Sequence, residues 1–238
     1  MSVDVETEFW EALSAVDDAS FDRLCESASR GIPDFIGLRP WVWKVLLNYL
    51  PCNEPIGRFE RILEKLRGNY CDLVKEVLPS SEGILELVEA EITGETKDET
   101  LRVIIRDVER TLANLQFFAA SQQEESAGKK YSTKQEAMIR MLYVFAKLHP
   151  GIKYVQGMNE VLAPIYACFS CDLMKNYPLP TCMDVEADSF FCFTNLIAEI
   201  HDRFSVASDK SNKGISALMN ELGLRLKEVD FVLWQHLV

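Results

Sequence analysis

Two stretches of this sequence carry polar groups that a buried core does not require. In ETLRVIIRDVERTLANL, Arg110 falls about opposite the apolar stripe of the predicted helix. Gln156 follows the helix-breaking pair Pro150 and Gly151, at the entrance of the next predicted helix. A guanidinium carries a lasting positive charge, and a carboxamide both donates and accepts hydrogen bonds. Each is therefore either a solvated side chain or a group that contacts another molecule.

The helix that carries Arg110 is the clearest in the sequence. Asp107 precedes Arg110 by one turn, and we expect both to lie well away from the apolar stripe. Taken alone, Arg110 is better explained as an ordinary solvated arginine than as a catalytic one. The stripe consists of Leu101, Ile104, Ile105, Val108, Leu112 and Leu115.

Composition excludes several classes of function. The 25 Lys and Arg residues against 37 Asp and Glu residues give a net charge of −12, which disfavours broad attraction to nucleic acid or an anionic membrane. The opening MSVDVETEFW is unlike a secretory signal, and no apolar run reaches the length of a membrane span. Seven cysteines, an odd number, suit reduced thiols. We therefore expect a cytoplasmic protein with no transmembrane segment.

Apolar spacings of three and four dominate, so the sequence predicts an all-α fold. A polar loop is expected over 119–136, with a capping pattern of Ser132 or Thr133 followed by Glu136. A second linker, 208–214, precedes a final helix that ends on its own apolar stripe. The predicted helices cover 4–14, 20–29, 39–50, 57–78, 81–92, 98–114, 132–148, 155–170, 185–204 and 214–238.

Other chemistries find less support. Cys168 and Cys171 have C-x-x-C spacing, but they end an apolar helix without a second pair, so buried thiols are favoured over a zinc or redox site. No G-x-x-x-x-G-K-[ST] phosphate loop is present. Three acids, Asp184, Glu186 and Asp188, begin a helix, where carboxylates favour the positive end of the helix dipole. We therefore expect them to cap that helix.

The order of four short motifs is more specific than any one of them. Together they resemble the signature series of the TBC-domain GTPase-activating proteins for Rab small GTPases, and the similarity extends from about Gly31 to the end of the sequence. The motifs are Gly31-Ile32-Pro33, Leu38-Arg39-x-x-x-Trp43-Lys44, Ile104-x-x-Asp107-x-x-Arg110-Thr111 and Tyr154-x-Gln156-Gly157-Met158-Asn159.

The resemblance implies a role for both exposed groups. In that family the matching arginine and glutamine enter the active site of a bound Rab, which makes Arg110 the charge stabiliser and Gln156 the positioner of the attacking water. The chain would then be a GTPase activator and not itself an enzyme. It would need no cofactor of its own, because the Rab carries GTP and Mg²⁺. Its place would be the cytoplasm, with peripheral association with endomembranes through the Rab.

The resemblance also assigns supporting residues. Asp107 would hold or orient the guanidinium of Arg110 by a charge-assisted bond. Tyr154 and Asn159 would brace the glutamine loop, and Gly157 would allow close approach of the partner. Arg39 and Trp43 would belong to the scaffold.

The predicted organisation is an N-terminal helical extension over 1–30 and a multi-helix TBC (RabGAP) domain over 31–238. The family continues beyond the position that matches Val238, so we expect the C-terminal half of the domain to be missing. This motivates an alternative, a truncated module that binds a small GTPase or another partner as a scaffold without accelerating hydrolysis.

Overall fold

The described part of the computed structural model is built from α-helices and contains no β-strand. The structure describes residues 2–17, 19–33, 37–78, 83–95, 97–111, 116–118, 130–170, 181–204 and 215–237. The expected all-α class is confirmed. The helices are α1 (Ser2–Ser14), α2 (Ser20–Ser29), α3 (Leu38–Leu46), α4 (Phe59–Val77), α5 (Ile84–Thr93), α6 (Glu99–Arg110), α7 (Thr133–Leu148), α8 (Met158–Ser170), α9 (Cys182–Phe204), α10 (Ile215–Val229) and α11 (Phe231–Leu237).

The described residues form two compact units, Met1–Asn195 and Leu196–Val238. In the first unit α7 is central and packs against α4, α5, α6 and α8. All residues from Ala137 to Ala146 except Arg140 are buried, as expected for a helix that is apolar around most of its circumference. Helices α1 and α2 pack on α3 within this unit. The predicted boundary between an extension over 1–30 and a domain over 31–238 stays a prediction.

Hydrogen bonds at its N-terminus attach α6 to α7. One carboxylate oxygen of Asp98 caps α6 by accepting bonds from the amides of Thr100 at 3.0 Å and Leu101 at 3.2 Å. The other oxygen accepts bonds from Tyr143 Oη at 3.0 Å and Lys147 Nζ at 2.8 Å. Partial burial opposes ionisation of Asp98, but the bond from Lys147 and the other donors hold its pKa below the ordinary value. The start of the helix that carries Arg110 is thus fixed on the central helix.

Helix α7 begins with a capping box. The Ser132 hydroxyl accepts a bond from the Gln135 amide at 3.2 Å, and the Gln135 side chain accepts one from the Ser132 amide at 3.0 Å. The expected pattern named Glu136, but Gln135 takes this place because the N-cap is Ser132 and not Thr133. Most of the predicted loop, residues 119–129, lies outside the described residues, as do residues 112–115 of the predicted α6 stripe.

The three acids near the start of α9 have different roles, so the capping expectation holds for only one of them. Asp184 caps the helix by accepting bonds from the amide and hydroxyl of Thr181, both at 2.8 Å. Glu186 is buried and accepts two bonds from Arg140, at 2.6 and 2.7 Å, and one from Tyr70 Oη at 2.6 Å. Glu186 therefore joins α9 to α7 and α4.

Asp188 forms a second buried cluster on α9. Its carboxylate accepts bonds from Arg67 at 2.9 and 2.7 Å and from Tyr49 Oη at 2.8 Å. The Lys44 ammonium lies 2.8 Å from the same carboxylate, and both side chains are at most 3% exposed. The expectation that Asp188 caps the helix is wrong, because its carboxylate contacts cations and a phenol from other parts of the chain. A buried carboxylate requires such partners to offset the loss of its hydration.

The final helix of the sequence prediction is two helices. The expected single helix over 214–238 breaks between α10 and α11, where Asp230 Oδ1 accepts a bond from the Leu233 amide at 2.9 Å and starts a new helix. The predicted linker over 208–214 lies outside the described residues. Exposed large apolar side chains of these two helices are Met219, Leu222, Leu224, Val229, Phe231, Val232, Leu233 and Leu237.

Replacing Asp188 by Asn should strongly destabilise the first unit. The neutral amide leaves the buried Lys44 ammonium without its counter-charge, so we expect the free energy of unfolding to fall by about 3–5 kcal/mol. Urea unfolding followed by circular dichroism measures this change. Asp72→Asn is the matched control, because Asp72 pairs with Lys75 on the exposed face of α4 and should have little effect. Equal unfolding midpoints for the two variants would contradict the assignment.

Asp188 should also contribute to the acid sensitivity of the fold. Burial opposes its ionisation, but Arg67 and Lys44 outweigh this and hold its pKa below the ordinary 3.8. Because the folded state has the lower pKa, the carboxylate stabilises the fold above pH 3.8, and this contribution is lost as the pH falls through the folded pKa. Urea midpoints measured from pH 6 downward should fall less steeply for Asp188→Asn than for the wild type; equal slopes would exclude this contribution.

Candidate functional site

The structure places Arg110 and Gln156 on two segments that contact each other. Arg110 is the last residue of α6, and Gln156 lies in the turn that precedes α8. Helix α8 begins at Met158 and not at 155 as expected, so Gln156 precedes the helix. Both side chains are exposed, and within the described part of the chain neither has a hydrogen-bond or ion-pair partner. Both are therefore available to another molecule.

Helix α6 presents Arg110 because its opposite face is buried. Leu101, Ile104, Ile105 and Val108 are at most 7% exposed. Counted at about 100° per residue, these side chains fix the rotation of the helix and turn Arg110 outward. The predicted stripe is confirmed for these four positions.

Asp107 does not occupy the position that the sequence predicts. It is 5% exposed, although we expected it to lie well away from the buried face. Its Oδ2 accepts a bond of 2.8 Å from Tyr154 Oη, and the structure shows no ion pair between Asp107 and Arg110. The expected direct bond from Asp107 to the guanidinium is therefore absent here, and the carboxylate instead attaches α6 to the segment before α8.

Asn159 is the centre of the contacts between the two segments. The side chain is 4% exposed, and its Oδ1 accepts bonds from Tyr154 Oη and from the Gly157 amide, both at 3.2 Å. Its Nδ2 donates to Thr111 Oγ1 at 2.8 Å and lies 3.4 Å from the carbonyl oxygen of Asp107. One side-chain amide thus contacts the end of α6 and the turn that carries Gln156.

Thr111 belongs to this network, although the sequence analysis gave it no role. It is the C-cap of α6 and is 3% exposed, and its hydroxyl donates to the Asp107 carbonyl oxygen at 2.9 Å while it accepts the bond from Asn159. A signal was present in the sequence, because a threonine directly after an exposed arginine at a helix end can bond back to the last turn. Its partner 48 residues away could not be read from the sequence.

The turn before α8 depends on two unusual backbone conformations. Gly157 has φ = +100°, and Lys153 has φ = +61°. No atom lies within 4 Å of the position that a Cβ on Gly157 would take, so the requirement for glycine is the backbone angle and not space. The Gly157 amide bond to Asn159 holds this conformation next to Gln156.

The phenol of Tyr154 in this network stays protonated over the physiological pH range. Burial, followed by the bond to Asp107, raises the pKa of the Tyr154 phenol well above its ordinary value of 10. Tyr154 therefore remains a hydrogen-bond donor at neutral pH. The chemistry available at the surface is then that of the guanidinium of Arg110, which stabilises negative charge, and the amide of Gln156, which orients a polar group.

The described residues contain no candidate metal centre. Nowhere among them do three or more His, Cys, Asp or Glu side chains form a group that could hold a metal ion. Cys168 is half-buried, and Cys171 lies outside the described residues.

Comparison with known proteins gives consistent matches. A family model for the Rab-GTPase-TBC domain matches residues 37–238. TBC1 domain family member 13 of Mus musculus is 28% identical over 286 residues, which span 90% of this chain and 70% of that protein. The GTPase-activating protein GYP1 of Saccharomyces cerevisiae is 26% identical over 213 residues, 83% of this chain and 29% of that protein. The crystal structure of the YPT/RAB-GAP domain of Gyp1p has a TM-score of 0.72 at 24% identity, with coverage of 99% of this chain and 68% of that one, and so shares the fold.

Replacing Asn159 by Ala should loosen the turn that carries Gln156. The substitution removes the acceptor of the Gly157 amide and the side-chain donor to the Thr111 hydroxyl, so we expect the free energy of unfolding to fall by about 1–3 kcal/mol. Hydrogen–deuterium exchange of the Gly157 amide should become faster, and urea unfolding gives the global change. Asn69→Ala, at an exposed position of α4, is the control. Wild-type exchange at Gly157 in the Asn159 variant would show that the bond does not hold the turn.

Proposed function

This chain belongs to the Rab-GTPase-TBC domain family, and from that premise we propose that it is a GTPase-activating protein for a Rab-family small GTPase. It supplies Arg110 and Gln156 in trans to a Rab that carries GTP and Mg²⁺. The family that the motif order indicated is the one that the match over residues 37–238 gives. Two relatives with the name GTPase-activating protein, from Saccharomyces cerevisiae and Schizosaccharomyces pombe, support the activity.

One observation carries this proposal: two exposed side chains, which have no partner among the residues that the structure describes, stand on segments that a buried network holds together. Arg110 and Gln156 are exposed, whereas Asp107 and Asn159 beneath them are buried and hydrogen-bonded. A surface side chain with no function does not need such a support. Groups that act on another molecule do, because a rigid support limits the entropy that is lost on binding.

The role of Arg110 follows from the charge of the transition state. Hydrolysis of GTP develops negative charge on the phosphoryl oxygens, and an arginine inserted by an activator stabilises it, with an effect of about 10³–10⁵ on the rate. Within the described part of the chain the exposed guanidinium at the end of α6 has no ion pair that must break before it reaches the Rab nucleotide. Its planar fork of donors matches phosphate oxygens better than the single ammonium of a lysine does.

The role of Gln156 is to orient water. A carboxamide accepts a hydrogen bond from the attacking water with its oxygen and donates one from its nitrogen. This fixes the direction of in-line attack on the γ-phosphate. The left-handed conformation at Gly157 and its bond to Asn159 set the position of the Gln156 backbone.

The reaction takes place on the partner, so the chain itself binds no nucleotide or metal in this proposal. None of the helices that the structure describes combines the length and the apolar character needed to cross a membrane. In this proposal the chain is cytoplasmic and associates with endomembranes peripherally, through the Rab.

Replacing Arg110 by Ala should abolish activation. We expect stimulated phosphate release to fall by about 10³-fold or more, towards the intrinsic rate of the Rab, because the charge-stabilising group is lost. Arg110→Lys should remain strongly impaired because it lacks the planar fork. Single-turnover phosphate release on a panel of GTP-loaded Rab GTPases measures this, and Arg61→Ala, an exposed arginine on α4, is the control. Wild-type rates in both Arg110 variants would contradict the proposal.

Replacing Gln156 by Ala should reduce stimulated hydrolysis by on the order of 10²-fold while Rab binding is largely kept, because one transition-state contact is lost. Binding is measured by calorimetry with the Rab in its GTP form. If the unmodified chain binds a GTP-loaded Rab without any increase in phosphate release, the alternative function holds, and the chain is a scaffold that binds the GTPase without accelerating hydrolysis. A normal rate for Gln156→Ala would remove the glutamine from the mechanism.

A further inference from the structure

The hydroxyl of Thr111 makes two hydrogen bonds at the junction between the end of α6 and the start of α8. It donates to the carbonyl oxygen of Asp107 at 2.9 Å and accepts from Asn159 Nδ2 at 2.8 Å, and Thr111 is 3% exposed. The first bond lies within the last turn of α6, and the second crosses to the start of α8. A hydroxyl is suited to this place because it donates and accepts at the same time.

Thr111 is placed to act on both Arg110 and Gln156, which we call the arginine finger and the glutamine finger. It follows Arg110 directly, and its backbone leaves the helical conformation with φ = −59° and ψ = +119°. On the other side, the Asn159 side chain that it binds also accepts the Gly157 amide bond, one residue after Gln156. Its hydroxyl therefore stands between the backbone of the arginine finger and the backbone of the glutamine finger.

The second connection between the two segments is of a different kind. Tyr154 Oη donates to Asp107 Oδ2 at 2.8 Å and to Asn159 Oδ1 at 3.2 Å. This contact reaches α6 one turn before Arg110, whereas Thr111 lies at the end of the helix. Removing the Thr111 hydroxyl keeps these contacts and the 3.4 Å contact from Asn159 Nδ2 to the Asp107 carbonyl oxygen, but it removes the shortest bond between Asn159 and the end of α6 that carries the guanidinium.

We infer that Thr111 is a positioning residue that sets the placement of Arg110 relative to Gln156 through its bond to Asn159. This inference rests on the proposed function. A hydrolytic centre assembled from two fingers requires both to arrive at the γ-phosphate together, and a displacement of about 1 Å can cost on the order of 10²-fold in rate. Because Thr111 is only 3% exposed, its side chain is not available to contact a Rab, and we expect it to affect the turnover rate and not Rab binding.

The test compares Thr111→Val with Thr111→Ser in the full 238-residue chain. Valine keeps the shape and removes the hydroxyl, and serine keeps the hydroxyl. On the Rab that responds most strongly in the panel, we expect Thr111→Val to lower the maximal rate of phosphate release on the order of 10–10²-fold with little change in the Rab concentration at half-saturation. Thr111→Ser should restore most of the rate.

Thr194→Val is the matched control. The Thr194 hydroxyl is also buried, but it has no hydrogen-bond partner in the described part of the chain. The same substitution there removes a hydroxyl without breaking a bond, so the rate should stay at the wild-type level. A loss of equal size at both positions would show a general effect of buried valine and would overturn the inference.

Double variants decide whether Thr111 acts through the fingers. In a chain that already carries Gln156→Ala, adding Thr111→Val should cause far less further loss than it does in the wild type, because groups that act as a unit are non-additive. A full, independent loss in this background would overturn the coupling. If Arg110→Ala abolishes activation while Thr111→Val keeps the wild-type rate, the inference fails and the proposed function stands.

A measurement without a Rab keeps the inference testable if no Rab responds. Hydrogen–deuterium exchange at the Gly157 amide should become faster in Thr111→Val and return to the wild-type rate in Thr111→Ser, since Asn159 loses and regains its shortest acceptor. Thr194→Val should leave this exchange unchanged. Unchanged exchange in Thr111→Val would show that the hydroxyl does not support the glutamine turn.

Discussion

The buried side-chain amide of Asn159 is the interaction on which the candidate site depends. It joins the C-terminal end of α6 to the turn before α8, although the bonded residues Thr111 and Asn159 are 48 positions apart in the chain. An unpaired buried amide costs on the order of 1–3 kcal/mol, so its donors and acceptors are satisfied together or lost together. The two segments therefore keep one relative arrangement, and the exposed Arg110 and Gln156 inherit it.

A second set of buried polar contacts holds the scaffold behind this site. Glu186 joins α9 to α7 and α4 through Arg140 and Tyr70, and Asp188 joins α9 to α4 through Arg67. Helix α7 in turn holds the start of α6, where Asp98 accepts bonds from two α7 side chains. The helix that presents the guanidinium is thus fixed at both ends, at one by the scaffold and at the other by the site itself. Buried ion pairs of this kind contribute specificity of arrangement more reliably than net stability, because desolvation offsets their attraction.

The buried charged residues that hold the helices together are different from the exposed residues that we propose to contact the partner. Buried carboxylates are paired with cations or phenols, while Arg110 and Gln156, which the proposal sends into a partner, make no bond to the described part of the chain. An activator that works in trans needs this separation. Any ion pair within the chain would have to be broken before the guanidinium could stabilise charge on the nucleotide, and a loose support would raise the entropic cost of docking. The residues that the structure describes meet both requirements, with buried hydrogen bonds beneath the exposed side chains of Arg110 and Gln156.

The sequence by itself determined the helical class, the buried face of α6 and the exposure of Arg110, because periodicity of apolar residues is a local property of the chain. The order of the motifs also indicated the family, and it identified Gln156 as a candidate functional residue. The structure, and not the sequence analysis, showed four further features. They are the burial of Asp107, the two bonds of Thr111, the cations and phenols that pair with Glu186 and with Asp188, and the break at Asp230. In the first three cases the tertiary structure brings together groups from distant parts of the chain, and burial of a charged side chain is costly without such a partner. The spacing of apolar residues shows which side of a helix faces the core. It does not show which donor or cation on a neighbouring helix will contact a polar residue on that side.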